Sequence, residues 1–173
     1  MNKNFLTSKL KGQKSEEKIV KPPEGCYFIH CIKSWSKNEY FGIKTPEISC
    51  SLQKDSYTIP LRPYGYILKI DKGAVICAFD RDVTSKYNEN WQKFSAARQN
   101  KKIGRYSESE LEELIKNTKE NSHNELWIRG EMIQIIGAYV VKKKVVSPGT
   151  KVFIKSCRKA DILIHWIKRE KGF

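Results

Sequence analysis

The chain has 173 residues, of which 39% are hydrophobic and 30% are charged, and its formal net charge is +14. This length suits one domain with its own core, and this composition excludes an intrinsically disordered chain. No stretch reaches the ~20 apolar residues that a membrane helix needs, and the polar residues 1–25 lack the apolar segment of a signal peptide.

Five cysteines, an odd number, are scattered along the chain, and four of them lie among apolar or β-forming residues. Free thiols in a reducing compartment explain this distribution better than a disulfide framework does. Cys26, His30 and Cys31 are close in sequence, but a structural zinc site needs more ligands than these, so we expect no metal. We expect a cytoplasmic protein, or one delivered into the cytosol of a host or target cell.

Positive charge is concentrated near the C-terminal end. Residues 141–173 carry ten Lys or Arg against two acidic residues, and residues 1–25 carry six Lys against three Glu. Such a basic surface suits an anionic macromolecule, and nucleic acid more than an acidic protein, although charge also serves solubility. We expect a docking surface separate from any catalytic centre. Its candidate residues are Lys142, Lys143, Lys144, Lys151, Lys155, Arg158 and Lys159.

The first elements in chain order are a polar leader and a strand. Residues 1–25 are Lys-rich and end in Pro-Pro-Glu-Gly, which predicts a loose segment before a single domain over residues 26–173. Residues 26–33 are rich in β-forming types and predict a buried strand, and a short strand is expected around residues 48–52.

A hairpin and two helices are expected next. Residues 64–70 and 74–79 read as strands, and the intervening Asp-Lys-Gly is typical of a three-residue hairpin turn. Residues 84–99 place aromatic side chains on one helical stripe. A second helix opens at the capping box of Ser107 and Glu110.

The remaining elements read as strands. Residues 126–129 and 132–141 flank Gly-Glu, which resembles a hairpin turn, and residues 151–155 follow a Ser-Pro-Gly turn. Residues 161–167 suit a strand or a short helix. The order predicts an α+β fold, with a central antiparallel or mixed β-sheet and two consecutive helices inserted between groups of strands.

Three local features suggest chemistry, although each also has a purely structural explanation. His30 lies inside the first predicted strand, where it either satisfies a buried hydrogen bond or positions a ligand. Ser49 and Ser51 alternate, so their hydroxyls share one side of an extended segment, where they can bind a polar ligand or orient a carboxylate; ordinary turn chemistry explains them equally well. Glu125 opens a strand directly after His123, where it can stabilise developing positive charge or simply be solvated.

Together these features resemble the ADP-ribosyltransferase superfamily, particularly its bacterial toxin-like and nucleic-acid-modifying members. Such proteins have a first strand with His or Arg, here ending at His30, and a Ser-x-Ser or aromatic element, here residues 49–51 or 64–66. Helices follow, and a late strand opens with the catalytic glutamate, here Glu125. The resemblance covers roughly residues 26–141.

The resemblance implies NAD as the substrate donor and a macromolecular acceptor. Glu125 would stabilise the ribosyl cation, and His30 would contact the nicotinamide ribose or amide, so the two residues must converge. Protein-modifying members often carry Glu or Gln where this chain has His123, so nucleic acid is among the implied acceptors. The other implied NAD contacts are Ser49 and Ser51, Arg62 or Arg81 at the pyrophosphate, and Tyr64 or Tyr66 stacking on nicotinamide.

Two other functions fit the sequence. A nucleic-acid-binding module or metal-independent ribonuclease would use the basic surface, with His30, His123 and Glu125 as acid–base candidates. A non-enzymatic protein that docks on an acidic partner would need the basic surface alone.

Overall fold

A seven-stranded mixed sheet forms the centre of the computed structural model, which describes residues 20–32, 47–54, 57–60, 62–83, 106–142 and 145–167. The strands are β1 (Cys26–Cys31), β2 (Glu47–Lys54), β3 (Tyr64–Ile70), β4 (Val75–Phe79), β5 (Glu125–Arg129), β6 (Ile133–Val141) and β7 (Ile164–Ile167). Their order in the sheet is β4-β5-β2-β1-β3-β6-β7. Every neighbouring pair is antiparallel except β6 and β7, which are parallel. The predicted α+β fold with a mixed sheet is confirmed.

Helix α1 (Glu108–Asn117) forms where the capping box predicts it. The Ser107 side chain accepts from the main-chain N–H of Glu110, and the Glu110 carboxylate accepts from the main-chain N–H of Ser107. These two bonds satisfy N–H groups that the first helical turn leaves without a partner. The predicted apolar face of Leu111, Leu114 and Ile115 is buried.

Neither predicted hairpin forms, although all four strands exist. β3 pairs with β6 and β4 pairs with β5, so β3 and β4 lie in different halves of the sheet, as do β5 and β6. The two connections cross between the halves side by side, since Asp71 N donates to the Met132 oxygen and Arg129 N donates to the Ala74 oxygen. Residues Gly130–Met132 form a short 3₁₀ turn at this crossing rather than a hairpin turn. The halves also meet at the β1–β2 ladder, and one large apolar cluster includes residues of both.

Residues 151–155, predicted as a strand, belong to helix α2 (Pro148–Lys159). Ser147 caps this helix by accepting from the Thr150 N–H, and Pro148 occupies its first turn, where a missing N–H has no cost. Buried Phe153 and Cys157 lie on one helical face. A five-residue window in which two Lys flank three β-forming apolar residues resembles a strand, whereas the longer window has helical spacing.

The described residues of the basic C-terminal segment, 145–167, pack on the sheet as part of the same domain. Phe153 of α2 is fully buried, and β7 extends the sheet by pairing with β6. The end of the predicted leader also packs on the domain, because Val20 is buried and its N–H donates to the Ile70 oxygen. The predicted boundary at residues 25/26 therefore falls within packed chain.

The predicted helix over residues 84–99 and most of the predicted leader lie outside the described residues. The two helices described are therefore α1, between the groups of strands as expected, and α2, which the sequence did not predict. Within the described ranges, no helix is both long and apolar enough to span a bilayer.

Candidate active site

The Glu125 carboxylate is buried and held from two sides. Only 3% of the residue is exposed at the start of β5. One carboxylate oxygen, Oε1, accepts from the Ser49 hydroxyl at 2.9 Å, and Oε2 accepts from the Val83 main-chain N–H at 2.8 Å. Two donors on separate oxygens fix both the position and the plane of the group.

Ser49 and Ser51 both reach the start of β5 from β2. In the β2–β5 ladder Cys50 stands opposite Leu126, so alternation puts the two serines on the same face as Glu125. The Ser51 hydroxyl donates to the Asn124 carbonyl at 2.7 Å. These contacts agree with the expectation that both hydroxyls share one side of an extended segment.

Asn124 fixes the main chain just before Glu125. Its side chain is fully buried, and its amide both accepts from the Leu52 N–H at 2.7 Å and donates to the Leu52 oxygen at 3.0 Å. It also donates to the Thr118 hydroxyl at the end of α1, at 3.2 Å. The amide thus substitutes for a strand partner. Sequence reasoning missed this role, although an Asn at the start of a strand is an unusual residue for that position.

His30 meets the same serine from the neighbouring strand. The half-buried imidazole lies with Nδ1 2.7 Å from the Ser49 main-chain oxygen. A carbonyl oxygen only accepts, so Nδ1 carries the proton of this hydrogen bond. The last residue pair of the β1–β2 ladder joins Ile29 to Ser51, which puts His30 just beyond the paired region.

His30 and Glu125 both contact Ser49, but their side chains belong to opposite faces of the sheet, because Ile29 rather than His30 stands opposite Ser51 in the β1–β2 ladder. The expected convergence of the two side chains is therefore wrong. His30 binds the main-chain oxygen of Ser49, and Glu125 binds its hydroxyl. Each residue comes from a different strand, and β2, which carries Ser49, lies between the other two in the sheet.

Gly65 allows β3 to lie close to β1 beside His30. A Cβ atom at position 65 would overlap the His30 carbonyl oxygen and would lie 2.7 Å from Cε1 of Tyr139. The Tyr139 ring is fully buried there, and its hydroxyl donates to the Arg62 carbonyl at 3.2 Å. The absence of a side chain at Gly65 is therefore a condition for the position of His30.

The segment after β4 makes one ion pair and one carboxylate–imidazole contact. Arg81 binds Asp80 through two N–H groups, at 2.9 and 3.1 Å. Asp82 lies 3.5 Å from Nε2 of His123, and both side chains are mostly buried, with 18% and 16% exposed. The next residue, Val83, supplies the N–H that holds Glu125.

The structure does not bring every predicted NAD contact to this cluster. Tyr64 and Tyr66 are buried core residues whose rings pack on Phe153, with centroids 4.9 and 5.3 Å away. Because both rings pack on Phe153 inside the apolar core, the expectation that either ring stacks on nicotinamide is wrong. Arg62 is half-buried next to β3, and the described contact at this residue is made by its main-chain oxygen.

Four of the residues predicted to form a basic docking surface lie on one face of α2. Helical spacing puts the exposed Lys151, Lys155, Arg158 and Lys159 on the side away from Phe153, and α2 contains no acidic residue. We call these four residues the α2 basic face. Lys142 is exposed at the end of β6, while Lys143 and Lys144 lie outside the described residues.

The described residues near Glu125 do not supply a reactive thiolate. Burial raises the pKa of the Cys50 thiol strongly, and the nearby Cys31 and Glu125 raise it further. All five cysteines are free, and three of them are buried. Across the described ranges, no three His, Cys, Asp or Glu side chains gather as a metal site requires. A carboxylate, hydroxyls and imidazoles are thus the groups available for chemistry here.

A cavity of about 300 Å³ lies elsewhere, against the first half of β1. Its lining includes Cys26, Tyr27, Leu68 and Ile136, and none of the residues that contact Glu125. No protein-family model and no curated protein sequence matches the chain. The cluster of polar residues around Glu125 is therefore the feature from which a function can be inferred.

Proposed function

We propose that this chain is an NAD-dependent ADP-ribosyltransferase in which Glu125 stabilises the ribosyl cation. The observation that carries the proposal is the buried carboxylate held by Ser49 on one strand and Val83 on another segment. A carboxylate fixed in advance needs no reorientation when positive charge develops beside it, which is the main source of electrostatic catalysis.

The reaction requires few groups. The bond between the ribose anomeric carbon and the nicotinamide nitrogen breaks, and its electron pair passes to the nitrogen. The anomeric carbon becomes cationic, and a lone pair of the acceptor forms the new bond. Glu125 lowers the barrier by its negative charge, while Ser49 and Ser51, which lie on the same face of the sheet, position the nicotinamide end of NAD. Arg62 binds the pyrophosphate in this proposal.

A nucleic acid is the proposed acceptor. The α2 basic face presents four cations without an acidic residue, and phosphate groups are the natural partners of such a surface. A role as a toxin or effector inside a target cell belongs to the same proposal.

The test is NAD hydrolysis by the full chain, measured as nicotinamide release with water as the acceptor. For Glu125→Gln we expect a loss of ~100-fold or more, because removal of one preorganised electrostatic group has effects of this size. Glu131→Gln is the matched control, since Glu131 is exposed at the sheet crossing. NAD should also raise the melting temperature of the wild-type chain, because it binds only the folded state. Wild-type turnover in Glu125→Gln would refute the proposal.

The α2 basic face also favours a second candidate, a nucleic-acid-binding module or a metal-independent ribonuclease. In that case His123 and Glu125 supply the acid–base groups. Cleavage of RNA by the chain without NAD, lost in His123→Ala and Glu125→Gln, would support this function. Binding without cleavage, steeply weakened by salt, would indicate the module.

A further inference from the structure

We propose that His123, oriented by Asp82, is the general base that takes the proton from the acceptor. This inference rests on the proposed function, because it assigns the second half of the same reaction. It also defines the acceptor as a neutral nucleophile that carries a proton, such as a sugar hydroxyl or a nucleobase N–H. A carboxylate acceptor, which is already anionic, needs no such base.

The His123–Asp82 pair is built into the same support as Glu125. Asp82 precedes Val83, whose N–H holds one carboxylate oxygen of Glu125. His123 lies two residues before Glu125 in the chain, and its Nε2 faces Asp82 at 3.5 Å. Two short stretches of chain therefore carry both the stabilising carboxylate and the imidazole–carboxylate pair.

The main chain around His123 is fixed on both sides. The Ser122 oxygen accepts from the Ile59 N–H at 2.9 Å. The Asn124 amide makes two hydrogen bonds to the main chain of Leu52. A base needs a defined position relative to the proton that it takes, and these bonds supply it.

The carboxylates of Glu125 and Asp82 have different roles in this proposal. Each oxygen of Glu125 already accepts one hydrogen bond, which suits a group that is fixed in place and stabilises charge. Asp82 instead faces an imidazole, the arrangement in which a carboxylate orients a histidine and stabilises its charged form. With Nε2 towards Asp82, Nδ1 is the nitrogen that takes the proton. Side-chain exposures of 16% and 18% leave the pair within reach of a ligand but largely shielded from solvent.

The proposed step moves one proton from the acceptor to His123 as the new bond forms. The acceptor oxygen or nitrogen donates a lone pair to the anomeric carbon while nicotinamide departs with the electrons of the broken bond. The acceptor proton passes to Nδ1 of His123, and the resulting imidazolium lies beside the Asp82 carboxylate. Without this transfer the cation recombines with nicotinamide, so net nicotinamide release slows.

The experiment uses the full chain with NAD, and with water or azide as the nucleophile. Water must lose a proton when it attacks, whereas azide is already anionic. For His123→Ala we expect nicotinamide release in water to fall ~100-fold or more, and azide to restore it with ADP-ribosyl azide as the product. His123→Gln keeps a polar side chain beside Asp82 and should behave in the same way if His123→Ala folds poorly. His165→Ala, on β7, is the matched control and should hydrolyse NAD at the wild-type rate.

The outcomes separate this inference from the proposed function. Wild-type hydrolysis by His123→Ala, with Glu125→Gln inactive, overturns the inference alone. A loss in both His123 variants that azide does not relieve also overturns it, because a structural role would produce that result. If the wild-type chain releases no nicotinamide from NAD, the proposed function and this inference fail together.

Discussion

The two halves of the sheet bury different kinds of side chain. In the half formed by β4, β5 and β2, the fully or nearly buried residues include Asn124 and Glu125, and their hydrogen bonds link three segments of the chain. In the half formed by β1, β3, β6 and β7, aromatic rings fill the core, and Phe153 of α2 packs on Tyr64 and Tyr66. Buried polar groups fix a geometry, whereas buried aromatic groups supply stability. The first half therefore carries the fixed polar geometry on which the proposed function depends, and the second half carries most of the aromatic packing.

The halves nevertheless meet at His30. In the β1–β3 ladder His30 stands opposite Tyr66, the residue on which Phe153 packs, while its imidazole binds Ser49 of the other half. The helix with the α2 basic face is therefore one strand away from His30. The separation of a docking surface from a catalytic centre stays a prediction, and the basic side chains lie on the side of α2 away from Phe153.

The largest predicted effect is the loss of the Phe153 side chain, which packs α2 on the sheet. For Phe153→Ala we expect the free energy of unfolding to fall by ~3–5 kcal/mol, because a fully buried ring is lost and a cavity remains. Urea unfolding measures this change. Val152→Ala, at a position that is 46% exposed, is the control and should change the value by less than ~0.5 kcal/mol. A loss below ~1 kcal/mol in Phe153→Ala would show that the second half does not depend on α2.

A smaller effect is expected for Ser49→Ala in the half formed by β4, β5 and β2, where the substitution should lower activity more than stability. Ser49→Ala removes one of the two donors that hold Glu125 and should slow NAD hydrolysis by ~10–100-fold, in line with a hydrogen bond to a charged group. We expect its free energy of unfolding to fall by only ~1–2 kcal/mol. Steady-state nicotinamide release and urea unfolding measure the two effects. Ser109→Ala, exposed on α1, provides the control. Stability loss without any loss of activity would contradict the division between the halves.

The sequence predicts what is local in this fold. The capping box of Ser107 and Glu110 forms as expected because its two bonds join residues three apart. The pairing of strands is not local, and the turn at residues 71–73 fits a hairpin and a crossing equally well. Helix α2 is not predicted because Ser147, Pro148 and Gly149 fit a turn as well as they fit a capped helix start.

In the candidate site, too, local sequence features could be predicted and contacts between distant segments could not. Residue type and position were enough to single out Glu125 as a candidate, since a carboxylate in a predicted strand is uncommon, but they could not show that His30 belongs to the other face of the sheet. The Val83 contact could not be predicted, because every residue except proline carries a main-chain N–H and only the fold brings this one to Glu125. The pairing of Asp82 with His123 likewise joins segments about forty residues apart in the sequence.

The smallest predicted effect concerns the α2 basic face. Lys151, Lys155 and Lys159 follow one another at spacings of four residues, so like charges face each other along the helix. Lys155→Glu turns two repulsive pairs into attractive ones and should raise the free energy of unfolding by ~0.2–1 kcal/mol. The same change should weaken binding of a DNA or RNA oligonucleotide and lower the salt dependence of the Kd by about one phosphate contact.

Urea unfolding and oligonucleotide titrations at several salt concentrations measure the two effects of Lys155→Glu. Lys116→Glu, exposed on α1, changes the net charge equally and is the control for charge alone. Stability that rises while binding falls only in Lys155→Glu would show that α2 carries charges that weaken the fold because they serve a partner. Equal weakening of binding by both variants would instead attribute it to net charge, and the α2 basic face would then have no specific role.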